Sequence, residues 1–153
     1  MIGELATPQI EELLKSEVMG RIGCHHAGTT YIVPTSYAYD GRYIYVHTHE
    51  GMKVEMMRKN PAVCFQVDNM RDMANWQSVI AWGTYEELPP GENRTTAIQA
   101  LQARQLPIVS SITTHLGAAW PFSSDSDKDL EGIVFRIALN EKTGRFESTS
   151  YSR

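Results

Sequence analysis

Hydrophobic positions along this 153-residue chain recur at two periods, and the points where the period changes divide it into elements. Ile10, Leu13, Leu14 and Val18 fall at helical spacing behind Thr7-Pro8, with Gly20 as a stop, and predict an amphipathic helix. From Arg21 the period becomes two. Ile22 to His26 predicts a strand, Ala27-Gly28-Thr29 a turn, and Thr30 to Tyr39 a second strand. Asp40-Gly41 is a hairpin signal, and Arg42 to Thr48 forms the strand that leaves it. On that strand Ile44, Val46 and Thr48 share one face, while Tyr43, Tyr45, His47 and His49 share the other.

A short cationic helix follows Gly51 and ends at Asn60-Pro61, where Asn is a left-handed stop and Pro cannot continue. Val63, Phe65 and Val67 alternate as a strand, Asn69 to Asn75 reads as a loop, and Gln77 to Leu88 as a long strand with a bulge or bend at Gly83. Beyond Pro89-Pro90-Gly91 a helix over about 93–104 turns Ala97, Ile98 and Leu101 inward. Pro107 to Asp129 is polar and turn-rich, a length of unstructured chain that is usually functional or mobile. Ile133, Phe135, Ile137 and Leu139 make a core strand, and Lys142-Thr143-Gly144 predicts a turn into a last strand near Phe146. Six or seven antiparallel strands with few helices imply a mainly β fold, a small closed or nearly closed barrel, because closure removes exposed edges.

Composition narrows the class. The length suits a single domain over residues 1–153. A net charge of −4 without a cluster of Lys and Arg argues against nucleic acid. No apolar run reaches the ~20 residues that cross a bilayer, and the N-terminus lacks a signal-peptide plan, so a cytoplasmic protein is expected. Cys24 and Cys64 lie within predicted strands with no paired spacing, and read as small buried hydrophobes.

The chemistry concentrates at the end of the third strand. His47-Thr48-His49 runs through Gly51 into a helix with Lys53 in its first turn. A helix N-terminus presents unpaired N–H groups and a partial positive charge, which attract phosphate. Thr48 adds a hydroxyl, Gly51 lets the backbone approach, Lys53 adds a point charge, and His47 or His49 a further donor. A simple strand-to-helix junction with a solvated Lys53 has the same spacing.

Taken in order, VPTSYAYDGRYIYVHTHEGMKVEMMRKNPAVCFQVD and WQSVIAWGTYEEL resemble the FMN-binding split-barrel proteins, the pyridoxamine 5′-phosphate-oxidase-like family, in its flavin-nucleotide-binding branch that includes nitroimidazole-resistance proteins. The resemblance implies a split β-barrel, Greek-key-like, with short flanking helices. It implies FMN, or a deazaflavin or haem in relatives of the same barrel. It also implies a homodimer with the cofactor at the subunit interface and a small-molecule substrate. Val33, Pro34, Thr35 and Ser36 would run beside the isoalloxazine and ribityl chain. His47, Thr48 and His49 would approach the ribityl and phosphate, and Gly51, Met52 and Lys53 would form the phosphate turn. Trp76 and Ser78 would close the site from the other subunit. The family's oxidases carry Arg-Lys at the phosphate turn where this chain has Met52-Lys53, and their C-terminal arginine and histidine motif has no counterpart here, so pyridoxamine phosphate oxidation is not implied. No catalytic acid or base is assigned.

Other groups admit sharper and plainer readings. His25-His26 and His47-x-His49 invite a metal, yet no Cys, Asp or Glu completes a ligand spacing, and none is expected. Either His25 or His26, never both, could face a flavin, since neighbours on a strand point opposite ways. His115 could close over the site from its loop, with Trp120-Pro121-Phe122 as the loop's anchor. Tyr31, Tyr37, Tyr39, Tyr43 and Tyr45 form an aromatic band that suits a dimer surface or barrel packing.

Overall fold

Alternation of side chains on β-strands leads to one curled antiparallel sheet of eight strands. The computed structural model describes residues 1–104 and 132–149. In chain order the elements are β1 (Ile2–Glu4), α1 (Thr7–Ser16), β2 (Met19–His26), β3 (Thr29–Ser36), β4 (Ala38–Tyr39), β5 (Tyr43–Thr48), α2 (Met52–Lys59), β6 (Ala62–Asp72), β7 (Asn75–Glu87), α3 (Glu92–Ala103) and β8 (Ile133–Glu147). The strands lie in the order β3-β2-β6-β7-β8-β5-β4, with β1 on β8.

That order explains the barrel. β3 and β4 sit at opposite ends of the ladder, yet only Tyr37 separates them in the chain. One residue spans less than about 4 Å per step, so the sheet must curl until its two ends meet. Among the described strands no ladder joins β3 to β4 or β5, so the closure is a seam of unpaired edges. The mainly β, split-barrel architecture expected from the chain is the one observed.

The interior is filled by alternating residues, among them Ile22, Ile44, Val46, Phe65, Val67, Val79, Phe135 and Ile137. α1 adds Ile10, Leu13 and Leu14 to this core, and α2 adds Val54, Met56 and Met57. α3 lies outside the barrel and packs Ala97, Ile98 and Leu101 on Ala38, Tyr45, Leu88 and Val134. The two faces of β5 therefore serve two cores, Ile44 and Val46 inward, Tyr45 toward α3.

Turn chemistry follows the sequence at two hairpins. Ala27 and Gly28 both have positive φ, 50° and 78°, the geometry of a two-residue loop matched to strand twist. At Asp40, Oδ1 accepts from the Arg42 and Tyr43 amides and Oδ2 from the Tyr45 hydroxyl. Gly83 marks an irregularity as expected: the β7–β8 register shifts between Trp82 and Gly83, and a Cβ at Gly83 would lie 2.3 Å from the Ala138 carbonyl oxygen.

Elsewhere tertiary pairing overrides local signals. Gly20 belongs to β2 beneath the Phe65 ring, and α1 already ends at Ser16. The Asn69 to Asn75 stretch is mostly strand, because β6 and β7 stay paired to Asp72 and Asn75. Lys142-Thr143-Gly144 is no turn but the middle of β8, which pairs with β7 along its length. Asn60 ends α2 in an extended conformation, donating from Nδ2 to the His25 carbonyl. β1 is too short to show a period in the sequence and exists only by pairing with 145–147 of β8. The tyrosine band packs largely within the chain: Tyr37 and Tyr45 are buried, and Tyr39 is tied to Glu11 and Lys142. His115, the Trp120-Pro121-Phe122 anchor and the Pro107 to Asp129 segment lie outside the described residues. Among the described residues no helix is long and apolar enough to cross a membrane.

Candidate functional site

β5 delivers His47 and Thr48 to the start of α2, and the turn through Glu50 and Gly51 aims the helix N-terminus outward. The α2 amides receive no side-chain cap at Gly51, whose own φ of 178° is ordinary extended backbone. A Cβ at Gly51 would meet nothing within 4 Å, so the approach to these amides is open. Lys53 is half-buried. Burial holds its ammonium below the usual lysine range, partly opposed by the Cys24 thiol nearby. Among the described residues no carboxylate pairs with it. A desolvated cation with no anion beside open helix amides is an arrangement that stabilises a bound phosphate.

Glu50, one residue before the turn, would repel an anion if it stood alone. Arg58 prevents this. Its Nη1 and Nη2 hold both Glu50 oxygens at 3.0 and 2.8 Å, and its Nε and Nη2 hold Glu87 at 3.1 and 2.6 Å. The guanidinium thus offsets one of the two negative charges beside the turn and ties α2 to the end of β7. Sequence pattern alone assigns Arg58 only to the helix dipole; its partner at Glu87 lies 29 residues away and has no local signal.

His47 and His49 are neighbours across the strand end, with ring centroids 6.0 Å apart. Gly132 is packed into them: a Cβ there would lie 2.6 Å from the Thr48 carbonyl oxygen, 3.1 Å from His47 Nε2 and 3.4 Å from His49 Nδ1. Its φ of 97° also favours glycine. Gly132 is a residue of the site that the sequence pattern does not mark. Thr48 Oγ1 donates to the His49 carbonyl at 3.3 Å. Among the described residues no group of three metal-ligating side chains gathers here or elsewhere.

Lys53 reaches toward Cys24, whose strand partner on β3 is Tyr31, two residues from Val33. From there Val33, Pro34, Thr35 and Ser36 continue along the seam, on a strand that pairs only with β2. Among the described residues no strand pairs with the outer edge of β3 or with the β5 edge beyond Tyr45, since β4 covers Tyr45 and Ile44. The seam along Val33 to Ser36 therefore starts one strand over from Cys24, the residue Lys53 lies near. Thr35 is buried, and Ser36 half-buried.

Trp76 and Ser78 lie on β7, two strands away from β2 through β6. Trp76 lies six residues along β7 from Trp82, the position that pairs across to Cys64 beside the Cys24 region. That separation is about 20 Å. Trp76 Nε1 donates to Glu147, and Ser78 Oγ accepts from Gln66. His25 turns to the outer sheet face, hydrogen-bonded to Thr30 at 3.0 Å, while alternation sends His26 to the opposite side. The same outer face exposes Ile32, Ile80 and Trp82, and Ile32, Cys64 and Trp82 line a cavity of about 450 Å³ there.

The sequence profile of a family described as pyridoxamine 5′-phosphate oxidase matches residues 7–146. An uncharacterized protein of Rhizobium meliloti is 37% identical over 127 residues, 83% of either chain. A FAD-binding protein of Mesorhizobium loti superposes with a TM-score of 0.72 at 28% identity, covering 97% of this chain and 99% of that one. A candidate 5-nitroimidazole antibiotic resistance protein of Bacteroides thetaiotaomicron shares the fold, with a TM-score of 0.70 at 20% identity over 95% of this chain and 87% of its own.

Proposed function

This chain belongs to the pyridoxamine 5′-phosphate oxidase family, and from that membership and the cleft geometry we propose that it binds FMN and acts as a flavin-dependent oxidoreductase on a small organic acceptor. The observation that carries the proposal is Lys53, a half-buried ammonium without a carboxylate partner among the described residues, set beside uncapped helix amides. These residues fit a terminal phosphate. Lys53 and the amides of Met52 and Lys53 would hold it, with Thr48 and the His47 and His49 rings at its side. Gly51 leaves room for it. The free edge of Val33 to Ser36 would supply backbone hydrogen bonds to the ring and ribityl chain, with the Ser36 hydroxyl in reach.

Bound FMN would supply the redox chemistry, taking a hydride from a reduced donor such as a nicotinamide and returning electrons to an acceptor, aromatic or nitro-bearing in this reading. The chain supplies position and charge. Arg58 offsets part of the Glu50 and Glu87 charge that would oppose the phosphate. Pyridoxamine phosphate oxidation is not proposed, because Met52 stands where the oxidases have the arginine of their Arg-Lys pair.

The active form in this reading is a homodimer in the cytoplasm. In this reading Trp76 and Ser78 close the cleft of the partner subunit, as the family resemblance implies. The tyrosines are occupied by internal packing, and the surface that suits a second copy is the apolar patch of Ile32, Ile80 and Trp82, with Ile32 66% exposed.

The Mesorhizobium loti relative favours a second reading, FAD in place of FMN, which leaves the phosphate turn unchanged. One experiment addresses both. The purified protein is expected to be yellow with flavin absorption in the blue, and mass spectrometry of the extracted cofactor tells FMN from FAD. Bleaching by a reduced nicotinamide, then recovery with a nitroaromatic, would establish turnover; binding without turnover would mark a flavin-storage protein. A colourless protein that does not bind added FMN or FAD overturns the proposal, as does an intense Soret band from bound haem.

A further inference from the structure

A second cavity, of about 620 Å³, lies between the C-terminal ends of α1 and α3 and the crossover from β3 to β4. It is within the usual size of small-molecule pockets, ~300–1,000 Å³. Arg104, at the end of α3, lines it. The Nε and Nη1 atoms of Arg104 are buried and have no hydrogen-bond partner among the described residues. Burial also draws this guanidinium below the ordinary arginine range. Buried polar groups are nearly always partnered, and a charged one left dry is costly. Capping of the α3 C-terminus does not account for these two atoms, since neither donates to the helix's last carbonyls.

The surroundings say what kind of partner is missing. Lys15 also lines the cavity and has no ion pair among the described residues. The carboxylate in the lining is Glu17, and its Oε1 is engaged by Asn69. Glu11 is no counter-ion for Arg104, since Lys142 and Tyr39 hold it. Among the described residues the cavity thus offers two cations against one carboxylate. Its remaining walls are largely apolar, with Val18, Tyr37, Ala38 and Ala103.

We infer that this cavity binds a small organic monocarboxylate with an apolar body, its carboxylate on Arg104 and Lys15. The site is separate from the phosphate turn and stands without the flavin reading.

Calorimetric titration of the full chain with benzoate tests it. Benzoate is expected to bind, with benzamide, its uncharged analogue, and inorganic phosphate each weaker by about tenfold or more. Arg104→Met should weaken benzoate by about 10- to 100-fold, Lys15→Gln should weaken it less, and Lys53→Met should leave it unchanged. The benzoate–benzamide comparison needs no variant, so it decides the matter even if Arg104→Met does not fold. No benzoate binding, equal affinity for benzamide, or full affinity in a folded Arg104→Met protein would overturn the inference. Phosphate binding as tight as benzoate would overturn the apolar-carboxylate assignment.

Discussion

Replacing Lys53 by methionine separates the two demands made on this residue. The side chain keeps its length and loses its charge. In the proposed FMN complex the ammonium would contribute a charge-assisted contact to the phosphate, worth about 1.5–3 kcal/mol. Its loss should raise the Kd for FMN by about 10- to 150-fold. Riboflavin has no phosphate, so its affinity should hardly change. Stability of the protein without flavin should move the other way or not at all. Lys53 is half-buried with no anion beside it, and its ammonium is held below the ordinary range by burial. In the window between the folded value and the ordinary lysine value, only the unfolded chain keeps the proton. Stability of the wild-type protein therefore rises with pH through that alkaline window, and the rise should vanish in the variant. Quenching of flavin fluorescence gives the affinities, and urea titrations across pH give the stabilities. Equal losses for FMN and riboflavin, or no loss for either, would refute the assignment of Lys53 to the phosphate.

Gly83→Ala forces a Cβ to within 2.3 Å of the Ala138 carbonyl oxygen, backbone that cannot swing away. It should cost at least about 1–3 kcal/mol in chemical denaturation, whereas Gly51→Ala, with nothing within 4 Å, should cost less than about 1 kcal/mol. Burial alone would raise the Glu11 carboxyl, but Lys142 and Tyr39 outweigh it and hold the group below the ordinary glutamate range. The stability it contributes is complete above the ordinary value and lost as pH falls through the depressed one, so Glu11→Gln should flatten the acid limb of a stability–pH curve. An unchanged acid limb would sever that link. Trp82→Glu places a charge in the exposed apolar patch of the outer face and should convert the proposed dimer to monomers by light scattering, with loss of flavin; a flavin-loaded wild-type monomer would refute the proposed interface.

Much of this molecule is legible before any two distant segments are brought together. Period-two alternation marks the cores of β2, β3, β5, β6 and β7, and the 3.6-residue period marks α1 and α3, because those patterns record which side of a single element must avoid water. The proposed phosphate turn is also local: Thr48, Gly51 and Lys53 lie within six residues. Signals fail where a local preference meets a distant partner. Gly144 reads as a turn residue, yet it sits in β8 because Leu5 and Ile10 occupy the space a side chain would need, 2.9 Å from where its Cβ would stand.

Local pattern thus marks which segments pair or coil and where a phosphate could be met. It took the folded chain for Tyr37 to bring the two ends of the sheet together and leave an open seam beside Val33 to Ser36. Folding likewise placed Arg58 between Glu50 and Glu87, Gly132 against His47 and His49, and Arg104 in a cavity with two of its donors unmatched. The divide is one of range. Backbone periodicity and turn preference act over a few neighbouring residues, while ion pairs, seams and cavities arise between segments that meet only after the chain has folded.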